Sequence, residues 1–91
     1  MNKASLVHQY NNLFWHIKKD ELANISDRVL VEFILNYGSL QAVKDLFETL
    51  GKEEVAKEFS KAVNEKRNNY FPQVKHFFNS YFTKNVPQYP F

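Results

Sequence analysis

Among the histidine and carboxylate side chains of this chain, one pair has the spacing of a metal site. His16 and Asp20 are four residues apart, so on a helix they would share a face and supply two of the ligands that zinc requires. No third ligand lies nearby, and the chain has no cysteine. We therefore favour an exposed or locally hydrogen-bonded histidine, and we expect no metal and no cofactor.

Motifs for covalent catalysis and phosphate binding are also absent from the sequence. Without cysteine there is no thiol nucleophile, and the G-x-S-x-G turn that exposes a catalytic serine does not occur. Phosphate-binding loops need several glycines, whereas Gly38 and Gly51 are isolated. The adjacent carboxylates Glu53 and Glu54 fall on the polar side of a predicted helix and are best explained as solvated. We predict that the chain is not an enzyme.

The elements that position these residues are helical, because apolar side chains recur every three or four residues through most of the chain. Predicted helices cover about residues 4–17, 26–37, 39–50, 52–66 and 72–83. Helix 26–37 is apolar except for a strip that carries Arg28, Glu32 and Asn36 at intervals of four. The sequence therefore predicts an all-α fold, a compact bundle of about five short helices around a central buried helix, 26–37.

Small residues mark the predicted corners between helices. Glycine tolerates the left-handed conformation that ends a helix, so Gly38 and Gly51 are predicted to do so. Ser39 is a good N-cap for the helix that follows. In that helix we expect Leu40 to return to the core and Asp45 to face outward.

The chain is predicted to form one helical domain over residues 1–83, followed by an extended tail over residues 84–91. Its 91 residues suit one domain, and Pro87 and Pro90 fix extended geometry near the end. No apolar run approaches the roughly 18 residues of a membrane span, and residues 1–12 do not resemble a signal peptide. We expect a cytoplasmic protein that does not contact membranes.

A helix-turn-helix repressor is the alternative function. Helices that meet at glycine corners around a buried helix are typical of such domains. However, 12 basic and 10 acidic residues give a formal charge of only +2, and Glu53 and Glu54 would lie where a reading helix approaches phosphates. Five basic side chains follow residue 60 with a single acid among them, and we favour a solvated surface for them over nucleic-acid binding. They are Lys61, Lys66, Arg67, Lys75 and Lys84.

Aromatic residues are abundant, with nine Phe, five Tyr and one Trp, which leaves large side chains for a partner. The last helix is expected to present a mostly aromatic set of side chains at helical spacing: Val74, Phe77, Phe78, Tyr81 and Phe82. Trp15 and the tail either fold back on the domain or contact a partner, and deleting residues 84–91 is expected to leave thermal unfolding nearly unchanged. The predicted partner-binding residues are Trp15, Lys75, Tyr81, Lys84, Val86, Tyr89 and Phe91.

Several short motifs carry a family resemblance over about residues 12–82. They are Leu13, Phe14 and Trp15; Arg28, Val29 and Leu30; Tyr37 and Gly38; Gly51; Arg67; and Phe77, Phe78, Tyr81 and Phe82. The pattern resembles small bacterial proteins that are often encoded beside AbiEii-type nucleotidyltransferase toxins and are regarded as their antitoxins. Two positions depart from the family: His16 replaces an acidic residue, and Phe71-Pro72 replaces Leu-Ser.

The resemblance implies an antitoxin whose partner is a nucleotidyltransferase-like toxin. Some systems of this kind are thought to work without contact between the two proteins, with the antitoxin repressing its operon or opposing the toxin's effect. The resemblance is therefore also compatible with DNA as an alternative partner. Exposed aromatic residues also leave a homodimer open.

Overall fold

The chain folds as a bundle of short helices. A computed structural model describes residues 2–15, 17–22, 24–65 and 68–91. Over these residues the α-helices are α1 (Lys3–Gln9), α2 (Lys19–Leu22), α3 (Asp27–Tyr37), α4 (Leu40–Leu50), α5 (Lys52–Val63) and α6 (Pro72–Asn85), with a 3₁₀ turn at Asn11–Phe14. The described ranges contain no strand, and none of their helices is long and apolar enough to cross a membrane. The predicted all-α fold is confirmed.

Helix α3 lies at the centre, as its apolar circumference predicts. It packs against α4, α5 and the 3₁₀ turn. Leu30, Val31 and Ile34 are fully buried, and each such side chain contributes about 1.5–3 kcal/mol relative to an exposed position. Ser26 caps the helix by accepting a hydrogen bond from the Val29 N–H.

The polar strip of α3 holds the connection between α5 and α6. The Asn36 amide donates to the Asn69 carbonyl at 3.0 Å and accepts from the Phe71 N–H at 3.2 Å. Glu32 accepts from the Asn69 N–H at 3.2 Å. An irregular segment lacks helical partners for its backbone, so these side chains supply them. The strip that interrupts the apolar pattern is therefore structural.

Arg28 extends the strip by one turn. Its guanidinium makes a two-pronged ion pair with Glu65, with one Nη1–Oε1 distance of 2.7 Å. The Arg28 hydrogen bonds hold the pKa of Glu65 below its ordinary value. Three polar residues at helical spacing therefore all bind residues that follow α5.

The first predicted helix is shorter than its apolar periodicity suggests. Helix α1 ends at Gln9, and the chain continues as the 3₁₀ turn. Asn11 and Asn12 begin that turn, and asparagine disfavours helix interiors because its side chain competes for backbone hydrogen bonds. Leu6 and Phe14 are both buried in the core. The apolar spacing therefore identifies core residues correctly, although the α-helix does not continue beyond Gln9.

The two corners require glycine for different physical reasons. Gly51 has φ +89° and ψ 137°, so the positive φ expected of glycine is present although ψ lies outside the left-handed helical region, and nothing lies within 4 Å of an added Cβ. Gly38 has φ −78°, so the prediction of a left-handed corner is wrong there. An added Cβ at Gly38 would lie 2.6 Å from the Ile34 carbonyl oxygen, so close approach excludes larger residues. Ser39 caps α4 through the Ala42 N–H, as predicted.

The rotation of α4 about its axis also differs from the prediction. Leu40 is 72% exposed, whereas Asp45 is 9% exposed. Asp45 is drawn inward because the Tyr10 hydroxyl donates to one carboxylate oxygen and the Gln41 amide to the other. These hydrogen bonds, that of Tyr10 most, hold the pKa of Asp45 below its ordinary value. They connect α4 to the residue that ends α1.

Candidate partner-binding surface

The seven predicted contact residues do not form one surface. Trp15 is 84% exposed, Phe91 is 46% exposed and Tyr81 is half-buried. Lys75 and Lys84 are both exposed on α6, but only Lys84 follows Tyr81 by one helical turn. Lys75 lines a shallow depression on another side of the helix, with Val63, Pro72, His76 and Asn79.

Val86 and Tyr89 lie in the core, which corrects the expectation of an extended, partner-binding tail. Val86 is 5% exposed and Tyr89 is 8% exposed. The Tyr89 ring centroid lies 5.6 Å from that of Phe82, and its hydroxyl donates to Asn79 Oδ1 at 2.6 Å. Burial raises the pKa of Tyr89. The chain turns back after α6 because these two side chains close the apolar face of the domain.

Three aromatic rings form a stack between α4 and α6, which we call the aromatic ladder: Phe47, Tyr81 and Phe77. Phe47 and Tyr81 are nearly parallel, with centroids 5.9 Å apart. Tyr81 and Phe77 are also parallel, at 6.3 Å. The Lys52 ammonium lies 5.7 Å from the Phe47 centroid and 5.3 Å from that of Tyr81, within cation–π range. The ladder is therefore an ordered aromatic surface with a cation beside it.

Phe77 was not among the predicted contact residues, but it is 60% exposed and is therefore a further candidate. Phe77 and Phe78 are consecutive, so they point about 100° apart on a helix. Phe78 and Phe82 point inward and are buried. One core face cannot bury side chains that point in both directions. Two consecutive phenylalanines therefore indicated, from the sequence, that one of the rings would be exposed.

Trp15 borders a different feature, a groove between the N-terminal helices with a volume of about 890 Å³. Its lining is mainly apolar and consists of Lys3, Ala4, Val7, His8, Asn11, Phe14, Trp15, Ile17, Leu22 and Ile25. Lys3 pairs with Asp27 at 2.8 Å, so this cation is already neutralised. The groove and the aromatic ladder are lined by different residues.

Phe71 and Pro72, which depart from the family pattern, have structural roles. Pro72 is the first residue of α6, where its missing N–H costs nothing. The Phe71 ring meets the Tyr37 ring edge-to-face at 5.4 Å. Both rings remain about half exposed. The departure therefore preserves the start of the last helix and adds aromatic surface.

The described residues contain no group of three His, Asp or Glu side chains able to hold a metal. His16, of the candidate pair with Asp20, lies outside the described residues, as do Lys66 and Arg67. The hydrogen bond from the Tyr10 hydroxyl lowers the pKa of Asp45, and it links helix α4 to the residue that ends α1.

Comparison with known proteins adds no identity. The chain matches no family model, no curated protein and no solved structure. Most of the described motif residues have core or corner positions, among them Phe14, Leu30, Phe82, Gly38 and Gly51. Trp15, Tyr37 and Phe77 are exposed aromatic motif residues, so the motif reaches the surface at these positions.

Proposed function

We propose that this chain is a non-enzymatic antitoxin of the cytoplasm that binds and masks a nucleotidyltransferase-like toxin through exposed aromatic side chains. The observation that supports a partner is the set of large apolar side chains left outside the core. These are Trp15, Tyr37, Leu40, Phe71, Phe77 and Phe91, each at least 44% exposed. The motif resemblance supports the class of partner.

The arrangement of these side chains favours protein binding. Single exposed apolar residues are common on any domain. Contiguous apolar patches are more often interaction sites, and aromatic residues are enriched among the residues that dominate binding energy. The aromatic ladder places Phe77 next to Tyr81 and Phe47, so it has the contiguity that isolated residues lack.

The repressor alternative gains no comparable support. The first turn of helix α5 carries Glu53 and Glu54, which are both exposed, and both pair with Lys57, at 3.8 Å and 3.6 Å. These carboxylates neutralise the cation that DNA phosphates would need. A mixed surface of this kind suits a protein partner better than a continuous phosphate backbone.

The test is co-expression of the chain with the product of the neighbouring gene in a bacterial host, followed by affinity purification. We expect restored growth and a complex that survives purification. Absence of rescue would reject the antitoxin function. Rescue without a complex, in purified proteins at micromolar concentration, would reject masking and favour repression or an opposing activity. A neighbouring gene that encodes no nucleotidyltransferase-like protein would reject the proposed partner class.

A further inference from the structure

We propose that the aromatic ladder, together with Lys52 and Lys84, is the surface that binds an acidic segment of a protein partner. An apolar side chain of that segment would pack on Phe77, and neighbouring carboxylates would face the two lysines. The identity of the partner rests on the proposed antitoxin function. The location and chemistry of the surface rest on the geometry of α4, α5 and α6.

Phe77 is suited to be the anchor because its ring is exposed but held in place. Tyr81 stacks parallel to it at 6.3 Å, and Phe78 meets it edge-on at 5.0 Å. Tyr81 is itself supported by Phe47 from α4. A ring that is already ordered loses little conformational entropy on binding, so more of its contact energy appears as affinity.

Two lysines, Lys52 and Lys84, lie beside the ladder. Lys84 lies on the same stripe of α6 as Phe77 and Tyr81, at intervals of four and three residues. Lys52 lies over the rings. In the described part of the chain neither lysine forms an ion pair, whereas Lys57 and Lys61 of α5 both do. Carboxylates of a partner would complement these two cations.

A protein segment fits this surface better than nucleic acid does. Glu48 directly follows Phe47, and Glu53 directly follows Lys52, and both are exposed. A phosphate backbone carries a charge at every nucleotide and would meet these carboxylates along with the lysines. A protein segment carries its charges at separate positions, so it can match the cations alone.

A second copy of the chain fits less well for a related reason. In a two-fold symmetric dimer the same patch contributes from both sides. Packing two ladders together would bring four lysines, Lys52 and Lys84 from each copy, into one interface. Like charges at an interface lower affinity and select against that pairing.

The experiment measures toxin binding by calorimetry for four variants of the full chain, using the purified product of the neighbouring gene as the probe. Phe77→Ser removes the anchor, and Lys84→Glu and Lys52→Glu reverse the charges. Lys61→Glu is the matched control, because Lys61 is equally a surface lysine and is 70% exposed on α5. Far-UV circular dichroism and thermal unfolding check that each variant folds.

We expect Phe77→Ser to raise Kd at least tenfold, as for an anchor residue. Lys84→Glu and Lys52→Glu should also raise Kd, and the difference from the unmodified chain should shrink as salt increases. Lys61→Glu should change Kd less than twofold. If Phe77→Ser does not fold, the two lysine variants still decide the proposal, because both lysines are exposed and surface substitutions rarely cost more than about 0.5 kcal/mol.

Each other result has a distinct meaning. If the toxin binds and all ladder variants bind as the unmodified chain does, the ladder is not the contact surface and the proposed function stands. If the unmodified chain does not bind the toxin, masking and the ladder proposal both fail. If the ladder variants instead abolish binding to a mixed-sequence single-stranded oligonucleotide, or abolish self-association in sedimentation, the acidic-protein proposal is replaced by those partners.

Discussion

Truncating the Tyr89 side chain tests whether the C-terminal residues belong to the folded domain. Tyr89 is 8% exposed, and its ring packs near Phe82 and Phe59, at centroid distances of 5.6 Å and 6.4 Å. Replacing a buried aromatic residue by alanine costs about 3–5 kcal/mol. Because Tyr89 is close to the end of the chain, where the backbone can relax, we take about 3 kcal/mol for Tyr89→Ala.

The hydroxyl contributes separately. Its hydrogen bond to Asn79 is 2.6 Å long, and Asn79 is exposed, so water can replace the lost donor. Tyr89→Phe should therefore cost only about 1 kcal/mol. In a domain of this size 1 kcal/mol lowers Tm by about 4–8 °C. The expected decrease is roughly 12–24 °C for Tyr89→Ala and roughly 4–8 °C for Tyr89→Phe.

Urea unfolding monitored by circular dichroism measures these differences, and the m-value should not change if unfolding stays two-state. Gln88→Ala is the matched control, because Gln88 is adjacent and exposed and surface substitutions stay within about 0.5 kcal/mol. A Tyr89→Ala protein as stable as the Gln88→Ala control would refute the packing argument. It would instead restore the sequence-based view that the tail can be removed without loss of stability.

Four further predictions concern the polar strip of α3, the Gly51 corner, the buried Tyr70 hydroxyl and DNA binding. Asn36→Ala should destabilise the domain by about 1–2 kcal/mol in urea unfolding, because two hydrogen bonds to the α5–α6 connection are lost; unchanged stability would show that water replaces them. Gly51→Ala should cost about 1–2 kcal/mol in the same assay from its φ of +89° alone, and a stabilised variant would contradict that conformation. The Tyr70 hydroxyl is buried and has no hydrogen-bond partner among the described residues, so Tyr70→Phe should raise stability at pH 7 by about 1 kcal/mol. Burial raises the pKa of Tyr70 above its ordinary value of 10.0. The unfolded chain therefore releases the phenol proton at a lower pH than the folded domain does, so the free energy of unfolding falls as pH rises above 10.0. The Tyr70→Phe protein should lose less stability over that range, and parallel pH profiles of the two proteins would contradict the assignment. Finally, a gel-shift assay with the chain's own promoter region should show no sequence-specific, salt-sensitive complex at micromolar protein, and such a complex would favour the repressor.

Local features of the fold could be predicted from the sequence because they depend on neighbouring residues. Apolar spacing identified the main helices, and the hydroxyl of Ser39 caps α4 as predicted. The nearly complete apolar circumference of α3 indicated its central position, since only a buried helix can satisfy such a pattern. Glycine likewise marked both corners.

Features that depend on distant contacts could not be predicted in this way. The polar strip of α3 was visible in the sequence, but its partners are more than 30 residues away. Asp45 was expected outside because carboxylates are usually solvated, and it is buried through a hydrogen bond from Tyr10, 35 residues earlier. Gly38 was correctly placed at a corner, yet the reason for glycine is the approach of the Ile34 carbonyl.

The candidate surface also combines features that the sequence predicts with features that depend on distant contacts. The sequence by itself determined that aromatic residues exceed what one helical face can bury, and it identified Tyr81 and Lys84 as contact candidates. Only the tertiary structure decided which aromatic residues are exposed, because burial depends on what packs against each face. It placed Tyr89 and Val86 in the core and left Phe77 outside it. The physical reason is that spacing along a helix fixes which side chains share a face, whereas the packing of other elements fixes whether that face contacts protein or solvent.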